Sequence, residues 1–165
     1  MASDDERTQV SVLFVCLGNI CRSPTAEGVF RKLAADADLD GRVRADSAGT
    51  AGYHEGAPPD ARAAAAAKAR GFDLAGIRAR RVTADDFHAF DLILAMDEDN
   101  LADLRRSAPA DASARLALLL DYAPERGVRS VPDPYYGGKN GFEEVLDLVI
   151  EACAGLVEEL GRRTR

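Results

Sequence analysis

Residues 12–15, Val-Leu-Phe-Val, form a continuous apolar run that reads as a buried strand. From Pro24 onward Ala26, Val29, Phe30 and Leu33 recur at helical spacing, so a helix follows and fades near residues 36–40, ahead of Gly41. Between them lies a tight loop over 16–23, in which Ser23 followed by Pro24 reads as an N-cap and a first helical position. Over 42–48, Val43, Ala45 and Ser47 alternate with Arg42, Arg44 and Asp46, which predicts a second strand with one polar face. The loop at 49–58 carries Tyr53 and His54 and is rich in glycine, so it is expected to be exposed and mobile. Pro58-Pro59-Asp60 opens an alanine-rich helix over 61–70, closed by Gly71. A buried strand is predicted over 90–95, then a helix over 98–107 capped by Asp97, then a short strand over 115–120. The last helix starts near Gly141 and sets Phe142, Val145, Leu146, Val149, Ile150, Cys153, Leu156, Val157 and Leu160 on one stripe, which makes Cys153 a core residue.

Strands alternating with helices imply an α/β fold, with a parallel sheet covered on both faces and ligands bound beyond the carboxyl ends of its strands. The 165 residues suit one domain, read as a flexible tail over 1–9 and a single domain over 10–165. With 47% hydrophobic and 30% charged residues the composition is that of a globular chain. A formal net charge of −7 argues against nucleic acid or an anionic membrane as partner. The polar N-terminus has no signal-peptide pattern and no stretch reaches transmembrane length, so a cytoplasmic protein is expected. Three cysteines do not make a secreted disulfide framework and suit a reducing compartment.

Chemistry concentrates in the first loop. A strand, a tight loop and a helix N-terminus form an anion-binding geometry, since unpaired amides converge where the helix dipole is positive. Gly18 lets backbone and ligand approach closely, and Asn19 tolerates a left-handed conformation. Arg22 brings a planar fork suited to two phosphate oxygens, and Cys16 sits under the same anion, where thiolate is favoured over thiol. Arg78-Ala79-Arg80-Arg81 is a basic run that reads either as a solvated face or as a rim favouring acidic substrates. Asp133, between Pro132 and Pro134, is a candidate proton donor held by a restricted backbone. Cys21 is a candidate resolving thiol for a reversible disulfide with Cys16.

The string Val-Cys-Leu-Gly-Asn-Ile-Cys-Arg-Ser-Pro, continued by Asp-Pro-Tyr-Tyr near the C-terminus, resembles the low-molecular-weight protein tyrosine phosphatases, and the resemblance runs from Val12 to Leu160. It implies a three-layer α/β/α fold with a four-stranded parallel sheet of flavodoxin-like order 2-1-3-4, and a phosphate-binding loop after strand 1. It implies hydrolysis of phosphotyrosine and small aryl phosphates through a cysteinyl phosphate, with no cofactor and no metal. Cys16 is then the nucleophile, and Asp133 the acid that becomes the base. Arg22 and the loop amides of Leu17, Gly18, Asn19, Ile20 and Cys21 hold the phosphate. Ser23 hydrogen-bonds the sulfur, Asn19 and Ser47 brace the loop, and Tyr53, Tyr135 and Tyr136 wall a crevice that Leu17 and Ile20 line from inside.

The chain departs from the family where a histidine precedes the x-Ala-Arg stretch, because Ile77 stands there, and support from packing or other donors is predicted instead. Related arginine phosphatases carry threonine at the position of Ile20, and isoleucine favours a phenyl ring over a guanidino group. Arsenate reductases of this fold need further cysteines, and Cys153 alone remains. The alternatives carried forward are a phosphoarginine phosphatase and a phosphoprotein-binding module without turnover. Phosphotyrosine-containing proteins are the expected partners, met by a monomer or weak dimer.

Overall fold

The computed structural model describes residues 9–39, 41–134 and 140–163. Chain order gives β1 (Val10–Cys16), α1 (Arg22–Asp36), β2 (Val43–Gly49), α2 (Ala61–Ala69), the single turn α3 (Asp86–Ala89), β3 (Leu92–Ala95), α4 (Glu98–Ser107), β4 (Arg115–Leu118) and α5 (Gly141–Arg163). Two short 3-10 turns, Leu119–Tyr122 and Pro124–Arg126, follow β4. The four strands form one sheet in the order β2-β1-β3-β4, and every pairing is parallel. The sheet order and the alternation of strand and helix are therefore those expected.

Side chains of β1 divide the core in two, as the two-residue period of a strand requires. Val12 and Phe14 join α1 and α5 in the larger cluster, where the Phe14 and Phe30 rings lie 5.5 Å apart. Leu13 and Val15 join Phe87, Phe90, Leu101 and Leu104 on the other face. Buried on both sides, β1 has no polar face, which is why its sequence reads as an unbroken apolar run.

Local departures have local causes. Phe90 and Asp91 precede β3 rather than opening it, and the Arg44 guanidinium lies 4.8 Å from the centre of the buried Phe90 ring. The strand expected over 115–120 stops at Leu118, where the backbone turns into the 3-10 segment and Asp121 accepts the Leu118 N–H. Asp60 caps α2 by accepting the Arg62 and Ala63 amides at 2.8 and 3.3 Å. Gly71, at φ +90, takes the chain out of that helix. The loop over 49–58 is exposed at Tyr53 but not loose. Thr50 and Ala51 donate to the carbonyls of Cys16 and Leu17, while Gly56 and Ala79 bond it to the segment before α3.

No helix among the described residues is long and apolar enough to cross a membrane.

Candidate active site

At the carboxyl end of β1, just past its last pairing with β2, the chain enters the loop that holds Cys16. Asn19 occupies a left-handed conformation, φ +58, as its side chain permits. That turn brings the Asn19 N–H to 3.3 Å from Cys16 Sγ, and Ser23 Oγ lies 3.0 Å from the same sulfur. Asn19 Nδ2 donates to Ser23 Oγ at 2.8 Å, so the two polar groups on the sulfur are tied to each other.

This explains why α1 starts earlier than its cap signal suggests. The helix begins at Arg22, with Cys21 at the N-cap and no side-chain cap bond. The Ser23 hydroxyl is turned toward the sulfur and Asn19, and so is not available as a cap. Arg22 is buried and its Nη1 donates to Asp97 Oδ2 at 2.6 Å and to the Val131 carbonyl at 3.0 Å. Its Nη2 lies 3.7 Å from Asp133 Oδ2. Asp97 also caps α4 through Oδ1, accepting the Asn100 N–H at 2.7 Å. The sequence disclosed only that capping role.

A crevice of about 190 Å³ opens here, lined by Cys16, Leu17, Gly18, Ile20, Cys21, Arg22, Tyr53, His54 and Asp133. Eight of those nine are residues the sequence singled out. Asn19 and Ser23 lie behind its wall, both buried. Tyr135 and Tyr136 lie outside the described residues.

His54 is the lining residue that carried no assigned role. Its ring packs on the loop so closely that a Cβ at Gly18 would come to 3.0 Å from His54 Cδ2. The absence of a side chain at Gly18 therefore makes room for an imidazole from the neighbouring loop.

Asn19 Oδ1 accepts the backbone N–H of Arg80 at 3.0 Å, which is the other donor that support of the loop calls for. Ile77 itself is buried in the larger core cluster. Arg80 is bound to Asp46 and Asp86, its guanidinium within 3.2 Å of carboxylate oxygens of both. Arg80 is thus engaged by two carboxylates and does not line the crevice. The Ser47 hydroxyl donates to the buried Glu27 Oε1 at 2.6 Å rather than to a group of the loop. Burial pushes the Glu27 carboxyl up, against the Ser47 hydrogen bond and the Arg31 charge.

Burial pushes the Cys21 thiol up to about 12, helped by the charges of Asp60, Cys16 and Asp133. Cys153 is buried in the core and its thiol is raised by burial alone. Among the described residues no group of three or more His, Cys, Asp or Glu is placed to hold a metal ion. The arrangement offers a sulfur nucleophile with polar hydrogens on it, a guanidinium at its side and a carboxyl across the opening. These are the parts of a covalent phosphoryl transfer.

Residues 11–165 match the model of the family described as low molecular weight phosphotyrosine protein phosphatase. The human low molecular weight phosphotyrosine protein phosphatase is 44% identical, over 93% of this chain and 98% of its own. The crystal structure of YfkJ from Bacillus subtilis superposes with a TM-score of 0.89 at 43% identity, covering 95% of this chain and 98% of that one. A drosophila arginine phosphatase superposes with a TM-score of 0.84 at 32% identity, covering 90% and 96%.

Proposed function

Because this chain belongs to the low molecular weight phosphotyrosine protein phosphatase family, and is a protein tyrosine phosphatase, we propose that Cys16, Arg22 and Asp133 carry its two-step hydrolysis. The observation that supports this reading is the meeting in one crevice of Cys16, Arg22 and, from far along the chain, Asp133. The Cys16 thiolate attacks phosphorus, the bond from phosphorus to the tyrosine oxygen breaks, and Asp133 gives its proton to that oxygen. Tyrosine leaves and a cysteinyl phosphate remains. Asp133, now a carboxylate, takes a proton from water as the water oxygen attacks phosphorus. The P–S bond then breaks, inorganic phosphate departs, and the returning thiolate is met by the Asn19 N–H and the Ser23 hydroxyl. Arg22 and the loop amides of residues 17–21 stabilise the equatorial oxygens in both transition states.

Leu17, Ile20 and Tyr53 grip the phenyl ring. No metal or cofactor takes part in this scheme. The drosophila neighbour favours a second reading, phosphoarginine hydrolysis. The apolar Ile20 on the crevice wall weighs against it, and a higher kcat/KM on phosphoarginine than on phosphotyrosine would reverse the order. We place the protein in the cytoplasm as a single domain over 10–165, working as a monomer or weak dimer. Among the described residues the exposed large apolar side chains are Leu17, Tyr53 and Val128, and two of these rim the crevice.

Cys21 serves as a resolving thiol. Peroxide oxidises the Cys16 thiolate to a sulfenic acid and is reduced to hydroxide; Cys21 then displaces water to form a disulfide. Burial keeps the Cys21 thiol protonated, which disfavours its own direct oxidation by peroxide. Peptide mapping without reductant after mild peroxide should find the Cys16–Cys21 link, and its absence removes this step.

The mechanism is tested by single-turnover release of p-nitrophenol from p-nitrophenyl phosphate, with reductant and chelator present. Cys16→Ser should release none, and Asp133→Ala should be slower by roughly 10²- to 10⁴-fold. A native protein that binds phosphate at the loop yet never releases product would instead be a phosphoprotein-binding module.

A further inference from the structure

Resting on the phosphatase reading above, we propose that Arg62 is a positioning residue for the proton donor. Stacked on Phe142, it fixes the start of α5, beside which Asp133 is held, relative to the phosphate loop. The nucleophile and the acid come from distant stretches of the chain, and a reacting group displaced by about 1 Å loses much of its effect. The contact of Asp133 with Arg22 is 3.7 Å long, beyond hydrogen-bond range, so the placement of the carboxyl falls to other parts of the fold as well.

A continuous set of contacts runs from the phosphate loop to Asp133 by way of α2. The Ile20 carbonyl accepts the Asp60 N–H at 2.8 Å. The Asp60 carboxylate holds Arg62 in a fork, accepting Nε at 3.3 Å on Oδ1 and Nη2 at 3.1 Å on Oδ2. So aimed, the guanidinium carbon lies 4.9 Å from the centre of the Phe142 ring, within range of a cation–π contact. Phe142 is the second residue of α5, and Gly141, the first, packs on Pro134: a Cβ there would stand 3.5 Å from Pro134 Cβ. Pro134 follows Asp133, which lines the crevice.

Helix stability does not account for the arginine. Its side chain is more than half exposed, so its ion pair with Asp60 adds little to the fold. Asp60 caps α2 through the Arg62 and Ala63 amides, bonds that any residue at position 62 other than proline would supply. What the guanidinium adds is a flat, aimed surface for the Phe142 ring. Just past the other end of α2, Arg70 pairs with Glu143 and Asp147 at 2.7 Å each, so α2 grips the first turns of α5 from both of its ends. The Arg62 end is the one joined through Asp60 to the phosphate loop.

A misplaced acid matters in proportion to the leaving oxygen's need for a proton. The test therefore measures kcat/KM on phenyl, p-nitrophenyl and 2,4-dinitrophenyl phosphate, whose phenolates are successively weaker bases. The proteins are native, Arg62→Ala, Arg62→Lys, Phe142→Leu and the double variant Arg62→Ala with Phe142→Leu. Arg62→Ala should lose about three- to fivefold on phenyl phosphate and under about twofold on the dinitrophenyl ester. Phe142→Leu should repeat that pattern, and the double variant should be no worse than either single change, because both remove one contact. Arg62→Lys keeps a cation over the ring and should recover part of the loss. A loss equal on all three substrates, a loss under about twofold on phenyl phosphate, or effects that add in the double variant overturn the proposal. Hydrogen exchange reads the contact without turnover: the Glu144 amide, bonded to the Asn140 carbonyl at 3.0 Å, should exchange faster in Arg62→Ala and in Phe142→Leu. Unchanged exchange there also overturns it. A native protein that releases no product from any of the three esters would count against the phosphatase mechanism, with the hold of Arg62 on α5 still decided by exchange.

Discussion

Asp97 shows how one side chain can hold a helix and a catalytic group together. Its Oδ1 caps α4 and its Oδ2 receives Arg22 Nη1 at 2.6 Å. Replacement by asparagine keeps an oxygen for the cap and removes the charge from the arginine. Asp97→Asn should leave the unfolding midpoint nearly unchanged while lowering kcat/KM on p-nitrophenyl phosphate by about 10- to 100-fold, because the Arg22 fork loses the partner that aims it. A large loss of stability with kcat/KM intact would show that Asp97 serves α4 alone. The cap was legible in the sequence because it is local, bonding three residues ahead. The bond to Arg22 spans 75 residues and follows no periodicity, so it was not. The same contrast separates Asn19, whose left-handed turn was legible, from its bond to the Arg80 amide. Ile77 pointed to a missing donor but not to its replacement. His54 stood in a loop read as mobile, and nothing in its neighbours Tyr53 and Glu55 pointed to Gly18.

At the scale of elements, amphipathic pattern carried the reading. β1 fell where its unbroken apolar run put it, α4 where its Asp97 cap put it, and α5 where its apolar stripe put it. The errors lie at element ends, where pattern gives way to competition for hydrogen bonds. α1 begins at Arg22 because the Ser23 hydroxyl faces the sulfur. β4 ends at Leu118 because Asp121 captures that residue's N–H. The order of the four strands was available only from the resemblance, since periodicity says which face a strand buries and not which strand lies beside it. Arg80 illustrates the same limit between elements: gripped by Asp46 of β2 and Asp86 of α3, it sutures two elements that sequence spacing treats as unrelated.

For the whole molecule these ion pairs set the response to acid. Burial alone would raise the Asp86 carboxyl, but hydrogen bonds from Arg80 and from the Thr83 amide outweigh it and hold the group below its ordinary value. Asp60 is likewise held low against burial, by Arg62 and by the amides it caps. Groups depressed in the folded state contribute stability that is complete above the unfolded aspartate value, about 3.9, and is lost as pH falls through their folded values. Glu27 runs the other way: raised by burial, it favours the fold below about pH 4.3 and weakens it as pH rises through its folded value. Urea midpoints measured from pH 7 to pH 3 should therefore fall below about pH 4, and Asp86→Asn should flatten that fall while lowering the neutral-pH midpoint. An acid limb equally steep in the variant would mean that Asp86 does not contribute to it.

The two backbone bonds that join Thr50 to the Cys16 carbonyl and Ala51 to the Leu17 carbonyl continue the β1–β2 ladder past the nucleophile. The start of the reactive loop is thus tied directly into the central strand pair. Hydrogen exchange at the Thr50 and Ala51 amides then belongs with the slow-exchanging sheet rather than with the surface loops, and loss of catalytic geometry becomes the same event as cooperative melting.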